Sequence, residues 1–327
     1  MPASGLMRRL RAPLITVALM ASAAAAAQTY PNRPVKLIVP YGPGGGTDVA
    51  ARVASHYIGE RLGVPLVVEN RVGGSGALGL EAAARAAPDG YTLLFSGPDA
   101  INSLPLLRKN LTVDPQKDLL PLAQVGTADF VFAVNPKVPV NTIEELIALA
   151  KAKPGMLRYS SAGTGTTLHV MGEMLKFRTG IDMVHVPYKS GGQAAIDTAA
   201  GHVEVISTAV SVIVGQIQSG QLRPLVVSSA TRSSIIPNVP TMTERGFKNF
   251  VATSWFGVFA PKGLPQPLVM KISEDVAAAA AAPEYRRRMT ATGMNSHVLL
   301  REEFGRYIAA EYAGWREVIE AAKITAD

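Results

Sequence analysis

The sequence predicts an α/β fold in two lobes, each a mostly parallel sheet flanked by helices. Three observations carry this expectation. Short apolar runs alternate with amphipathic stretches through most of the 327 residues, the signature of strand–helix units. Two of the apolar strands, one in each half of the chain, run straight into a loop of glycines and hydroxyls that opens a helix. The closing segments are helical and need a sheet to cover, and the helix-poor first half provides one if the chain crosses back.

Val35–Val39 is the first expected strand. Thr47 or Asp48 then caps a helix to Leu62, with Val49, Val53 and Tyr57 on one face and Gly63 at its end. Residues 66–68 form a second strand, 77–86 an alanine-rich helix, Pro88-Asp89-Gly90 a turn and 91–95 a third strand. This order implies parallel strands joined by right-handed crossovers. Residues 130–134 restart the pattern, and Thr142 with Glu145 has capping-box spacing at the head of a helix to Lys153. Strands over 158–161, 183–186, 203–207 and 225–228 then alternate with helices over 167–178, 193–200 and 210–219. The stretch 231–250, rich in Ser, Pro, Thr and Asn, reads as a connector. Residues 254–260 are a strand, and 267–282, 284–292 and 301–322 are helices. The expected division is 28–127 plus 251–327 for the first lobe and 128–250 for the second, with hinge crossings near 126–129 and 250–254.

Ahead of the first strand, Arg8, Arg9 and Arg11 precede an apolar run over 12–26, and Ala25-Ala26-Ala27 supplies small residues before Gln28. That is the layout of a cleaved secretory signal peptide over residues 1–27. The run is shorter than the ~20 residues a membrane span needs. Removing 27 of 327 residues leaves 300, and the formal charge falls from +7 to +4 because three arginines and no acids leave with it. Lys/Arg-rich runs with interleaved aromatics do not occur, so nucleic acid is not an expected partner. The lack of cysteine excludes disulfides, a thiolate nucleophile, cysteine metal sites and a lipid on cysteine. An exported chain that relies on packing alone suits the periplasm.

The glycine loops carry the candidate site. The first is Tyr41-Gly42-Pro43-Gly44-Gly45-Gly46-Thr47-Asp48; the second is Ser161-Ala162-Gly163-Thr164-Gly165-Thr166-Thr167, with His169 in the helix turn that follows. The first N–H groups of a helix have no partner within it, and the macrodipole puts partial positive charge there. Glycine lets an anion approach the backbone, so each loop is a candidate anion cradle. Facing each other, they would hold a small carboxylate between two lobes. Tyr188-Lys189-Ser190-Gly191-Gly192 ends a strand and opens a helix, and is a third candidate, although Lys189 reads first as a solvated charge. Ser96 ends a strand and is an expected wall residue, because ligands of open α/β sheets bind beyond the carboxyl ends of strands. Asp48 is first of all a cap, and a loop organiser if it bonds backbone donors. His169 is expected to pack or bond beside the second loop rather than to touch the ligand. Arg286-Arg287-Arg288 reads as a solvated helix face.

Enzyme readings each fail at a required residue. Gly42-Pro43-Gly44-Gly45-Gly46-Thr47 has threonine at the third glycine of a dinucleotide fingerprint, and no Gly-Lys-Ser/Thr of a Walker loop occurs. Gly73-Gly74-Ser75-Gly76-Ala77 misses the hydrolase elbow at its last position. No enzyme activity, cofactor or metal is expected.

Several segments resemble the extracytoplasmic solute-binding receptors of tripartite tricarboxylate transporters, the Bug family. They are Tyr30-Pro31-Asn32-Arg33-Pro34, Gly45-Gly46-Thr47-Asp48, Val68-Glu69-Asn70-Arg71, 87–94, 150–155, His185-Val186-Pro187-Tyr188-Lys189 and Thr253-Ser254-Trp255-Phe256-Gly257. The resemblance spans essentially the whole chain after the leader. It implies a periplasmic two-lobe Venus-flytrap fold that closes on a small carboxylate, a membrane permease as partner, and a monomer. A sensor presenting its ligand to a membrane signalling protein is the alternative. It also implies that the two glycine loops hold the carboxylate through backbone groups and water. The chain departs from the family at Tyr41-Gly42-Pro43, where Phe-Pro-Ala is common. It departs again at Ser207-Thr208, where many members carry an aspartate. An acid there would suit an amine-bearing ligand, so Thr208 points to a plain organic acid.

Overall fold

The computed structural model describes residues 30–325 apart from 109 and 249, and the expected leader lies outside the described residues. The first lobe opens with β1 (Val35–Val39), α1 (Gly46–Leu62), β2 (Leu66–Asn70), α2 (Ala77–Ala84) and β3 (Thr92–Ser96). β1 lies between β2 and β3, both parallel to it, with Val35 opposite Leu66 and Leu37 opposite Leu93. A strand covered on both faces is apolar throughout, as Leu37, Ile38 and Val39 are here, all fully or nearly fully buried. Ala50, Ala51, Ala54 and Ile58 form the buried seam of α1, and the expected Val49, Val53 and Tyr57 flank it. Gly45 is the N-cap, and Asp48 sits inside the first turn; neither Thr47 nor Asp48 is the cap. Gly63, at φ +73°, ends the helix in the left-handed conformation that glycine adopts without strain.

The largest departure from expectation is β4 (Leu119–Val134), of which only the last five residues were anticipated as strand. Its first part pairs antiparallel with β9 (Thr253–Pro261), from Leu119 opposite Pro261 to Asp129 opposite Thr253. The register shifts between Pro121 and Ala123 and again between Gln124 and Gly126, and such irregularities bend a strand and increase its twist. The second part enters the other lobe, pairing with β7 (Val205–Ala209) and β8 (Arg223–Val227). Of the two segments expected as hinge crossings, 126–129 is strand throughout, paired with β9, whereas 250–254 becomes strand only from Thr253. Between those pairings the chain forms α3 (Ile143–Ala152), β5 (Arg158–Ser161), α4 (Thr167–Thr179), β6 (Val184–Pro187), α5 (Gly191–Ala200) and α6 (Val210–Gln218). β5 is parallel to both β6 and β7. The capping signal before α3 is real but offset: Thr142 accepts from the Glu145 N–H, while the Glu145 carboxylate accepts from Asn141.

After β9 come α7 (Gln266–Ala281), α8 (Pro283–Ala291), the short β10 (Leu299–Leu300) beside β4, and α9 (Arg301–Ala322). α7 and α8 cover the first sheet, as the crossing back requires. α9 is shared. Phe304 and Ile308 lie in a first-lobe core with Trp255 and Phe259, whereas Trp315, Val318 and Ile319 lie in the second-lobe core with Phe132 and Leu175. The last helix is thus not confined to the first lobe, as the expected division had it.

Candidate functional site

In the first loop, Asp48 is 2% exposed and holds the turn together. Its Oδ2 accepts from the Gly44 N–H and from Arg52 Nε, both at 2.9 Å, and its Oδ1 accepts from Asn70 Nδ2 at 2.8 Å. The same amide nitrogen donates to the Tyr41 carbonyl at 2.9 Å. Burial disfavours the charged form, but the bonds from Arg52, Gly44 and Asn70 together outweigh it and hold the carboxyl below its ordinary range. Asp48 therefore organises the loop. Gly44, Gly45 and Gly46 are exposed, Thr47 is half-buried, and Gly45 brings no side chain to cap the helix. The first-turn amides of α1 present an open donor row. Tyr41 and Ser96 stand behind this row: the Ser96 side chain is fully buried, and the Tyr41 hydroxyl is enclosed without a hydrogen-bond partner.

The second loop differs, because its donors are engaged within the protein. The Gly163 N–H donates to Ser161 Oγ at 3.2 Å, the Gly165 N–H to His169 Nδ1 at 3.1 Å, and the His169 N–H to the N-cap Thr166 Oγ1 at 3.3 Å. Thr167 donates through its N–H, at 2.9 Å, and through its hydroxyl to Asp99 Oδ1 from the other lobe. Ala162 is half-buried, and Thr164 is exposed at the tip. The His169 ring stacks on His185 with centroids 3.8 Å apart, and His185 Nε2 meets Ser161 Oγ at 2.7 Å. Burial pushes His185 down to about 3 and lowers His169 as well, so both rings are neutral and Nδ1 of His169 is free to accept. His169 braces the loop, as the sequence suggested; the loop is not the vacant cradle that its glycines suggested.

The third loop packs against the second. The Tyr188 N–H donates to the Ser161 carbonyl at 3.1 Å, and a Cβ on Gly163 would come within 3.2 Å of the Tyr188 oxygen. Ser190 caps α5 by accepting from Gln193, and Lys189 is exposed. A Cβ on Gly191 would meet Thr208 Oγ1 at 3.2 Å; Thr208 is fully buried, and its hydroxyl is unpartnered. The structure therefore brings Ser161–Thr167, Tyr188–Gly191 and Thr208 together in one lobe, and Tyr41–Asp48 with Ser96 in the other.

The connection between the two groups escaped the sequence reading. Asp99 lies in the helical turn Asp99–Ser103 directly after β3 and reaches Thr167 across the lobes. Behind it, Glu311 of α9 accepts from Asn102 Nδ2 at 2.6 Å and from Trp255 Nε1 at 2.8 Å, while its second oxygen is enclosed without a partner. Burial raises the Glu311 carboxyl to about 8, and the nearby Asp99 adds to the shift. An acid just beyond a strand end was the available signal for Asp99; Glu311, within a long amphipathic helix, offered none. Among the described residues, no group of three or more His, Asp or Glu is arranged to hold a metal ion.

Two lobes that share a bent sheet, joined across by the contact of Asp99 with Thr167, have the architecture of the solute-binding class of α/β proteins. The sequence profile of the tripartite tricarboxylate transporter family receptor matches residues 50–324, and the chain belongs to that family. Protein BugT of Bordetella pertussis is 36% identical over 299 residues, covering 91% of this chain and 92% of the relative. Among solved structures, Rpa4515 of R. palustris with adipate is 29% identical at a TM-score of 0.78, covering 90% and 99% of the two chains. MatC of Rhodopseudomonas palustris with bound malate is 27% identical at a TM-score of 0.72, covering 89% and 100%.

Proposed function

We propose that this protein is a periplasmic receptor that captures a small organic carboxylate between its lobes and delivers it to the membrane subunits of a tripartite tricarboxylate transporter. The observation that carries this reading is the open row of first-turn amides at Gly45–Thr47, held from below by buried Asp48; the unpartnered Thr208 hydroxyl of the second lobe is the proposed counterpart. A micromolar ligand needs ~8 kcal/mol, and hydrogen bonds to a charged group contribute roughly 1.5–3 kcal/mol each. A few amide donors therefore supply the required order of energy without an arginine. The ligands bound in the two related structures, adipate and malate, are both small carboxylates. A ligand that touches both lobes only when they are closed shifts the protein towards closure, and the closed form is the one a permease would receive. The proposed lobes are 28–127 with 251–327, α9 spanning both, and 128–250; the proposed leader is residues 1–27, and the receptor acts as a monomer.

A thermal-shift screen of mono-, di- and tricarboxylates, with amines and neutral sugars as controls, tests the binding reading. Stabilisation by at least one carboxylate and by none of the controls is expected; stabilisation by the controls alone refutes it. Loss of uptake of that acid on deletion of the gene tests the transport reading, and unchanged uptake refutes it.

A further inference from the structure

The two glycine loops are not equivalent. At the first, exposed glycine amides open a helix without a side-chain cap. At the second, the positive end of α4 already holds an anion, because Asp99 Oδ1 accepts from both the N–H and the hydroxyl of Thr167. The remaining glycine amides of that loop are occupied by Ser161 and His169. Asp99 is half-buried, and its Oδ2, unlike the second oxygen of Glu311, is not sealed away without a partner. It also stands close to the first loop: a Cβ on Gly76 would meet both Ala100, next to Asp99 in the chain, and the Tyr41 ring at 3.4 Å. A second acid, Glu311, lies behind it.

We propose that Asp99 sets the orientation and charge class of the ligand: one carboxylate at the Gly45–Thr47 amides, and a neutral or hydrogen-bond-donating group at the end that meets the Thr167 loop. This rests on the carboxylate-receptor reading and narrows it. An acid with a second carboxylate aimed at that loop brings like charges together where little water screens them, and finds the helix end already filled. A hydroxyl or ammonium in the same place gains an acceptor in Asp99. The chain thus reads as a receptor for hydroxy- or amino-substituted monocarboxylates rather than for diacids.

The test is calorimetry on matched chains that differ only at the far end: hexanoate, 6-hydroxyhexanoate, 6-aminohexanoate and adipate, with the corresponding four-carbon series. Wild-type protein is expected to bind the better of the hydroxy and amino acids at least tenfold more tightly than the diacid of equal length, about 1.4 kcal/mol. Asp99→Asn keeps an acceptor oxygen for Thr167 but removes the charge, and is expected to narrow that ratio at least tenfold. Asp99→Ser serves if the asparagine variant does not fold. A diacid that binds wild type as tightly as its hydroxy and amino partners overturns the proposal, as does a ratio unchanged by removal of the charge. Failure of every acid in both series to bind overturns the receptor reading itself, and this one with it.

Discussion

Asn70 Nδ2 lies 2.8 Å from Asp48 Oδ1, so the end of β2 grips the first turn of α1 and fixes the loop between β1 and α1 from beneath. The same amide also holds the Tyr41 carbonyl, and one side chain thereby spans both ends of the candidate donor row.

Asp48→Ala leaves the donors of Gly44, Arg52 and Asn70 without their acceptor. A loss of about 2–3 kcal/mol in urea unfolding is expected, the scale of a deleted charge-assisted partner, together with loss of ligand affinity. The pH dependence has a definite sign. The folded-state carboxyl titrates below its ordinary 3.8, so its contribution is present above that value and disappears as the pH falls through the folded one. Asp48→Asn should flatten the acid limb of the stability curve, and an acid limb identical to that of wild type would contradict this.

Gly45 has φ −73°, and the nearest atom to an added Cβ is the Gly42 oxygen at 3.7 Å, so a side chain fits the fold there. It would, however, stand over the amide row. Gly45→Val is expected to cost about 1 kcal/mol, the scale of losing a favourable N-cap residue, without unfolding the protein, while weakening carboxylate binding at least ~100-fold, the loss of about two tenfold steps of 1.4 kcal/mol. Calorimetry with undiminished affinity would remove the first loop from the site.

Glu311 gives the opposite dependence at higher pH. Its folded-state carboxyl titrates at about 8 against an ordinary 4.5, chiefly because of burial. Between those values the folded protein keeps a proton that the unfolded chain has released, so stability falls as the pH rises through that window and levels off above it. Asp99, also raised by burial, acts in the same direction. The urea midpoint should be higher at pH 5 than at pH 8.5, and Glu311→Gln should reduce the difference. A wild-type midpoint flat over that range would show the carboxyl to be hydrated.

Trp315 is 2% exposed and belongs to the second-lobe core although its helix begins in the first. Trp315→Ala should cost about 3–5 kcal/mol, as large core truncations do. If the truncation instead melted the second lobe separately, chemical denaturation would show two transitions.

Much of the architecture is readable from local pattern. β1, β5 and α9 have the expected boundaries, and the described residues of the Thr231–Phe250 region form no helix or extended strand, as expected of a connector. β4 was hidden because Pro121, Gln124, Gly126 and Asp129 do not read as strand residues; pairing with β9 and β10 from the far end of the chain supplies what local propensity lacks. The start of α1 shifted because an N-cap glycine with an acid reaching back resembles an N-cap acid in sequence. The candidate loops were legible as glycine-rich helix starts. What occupies the second of them was not, since Asp99 and Thr167 lie 68 residues apart and only the folded chain brings them together.

α9, anchored by Phe304 at one end and Trp315 towards the other, acts as a stiff rod bolted into both halves of the body. A shell hinged on two ribbons alone could gape like a clam; with such a rod in place, any opening has to carry or bend the helix. A spectroscopic ruler across the two halves is therefore expected to register sideways slip more than widening.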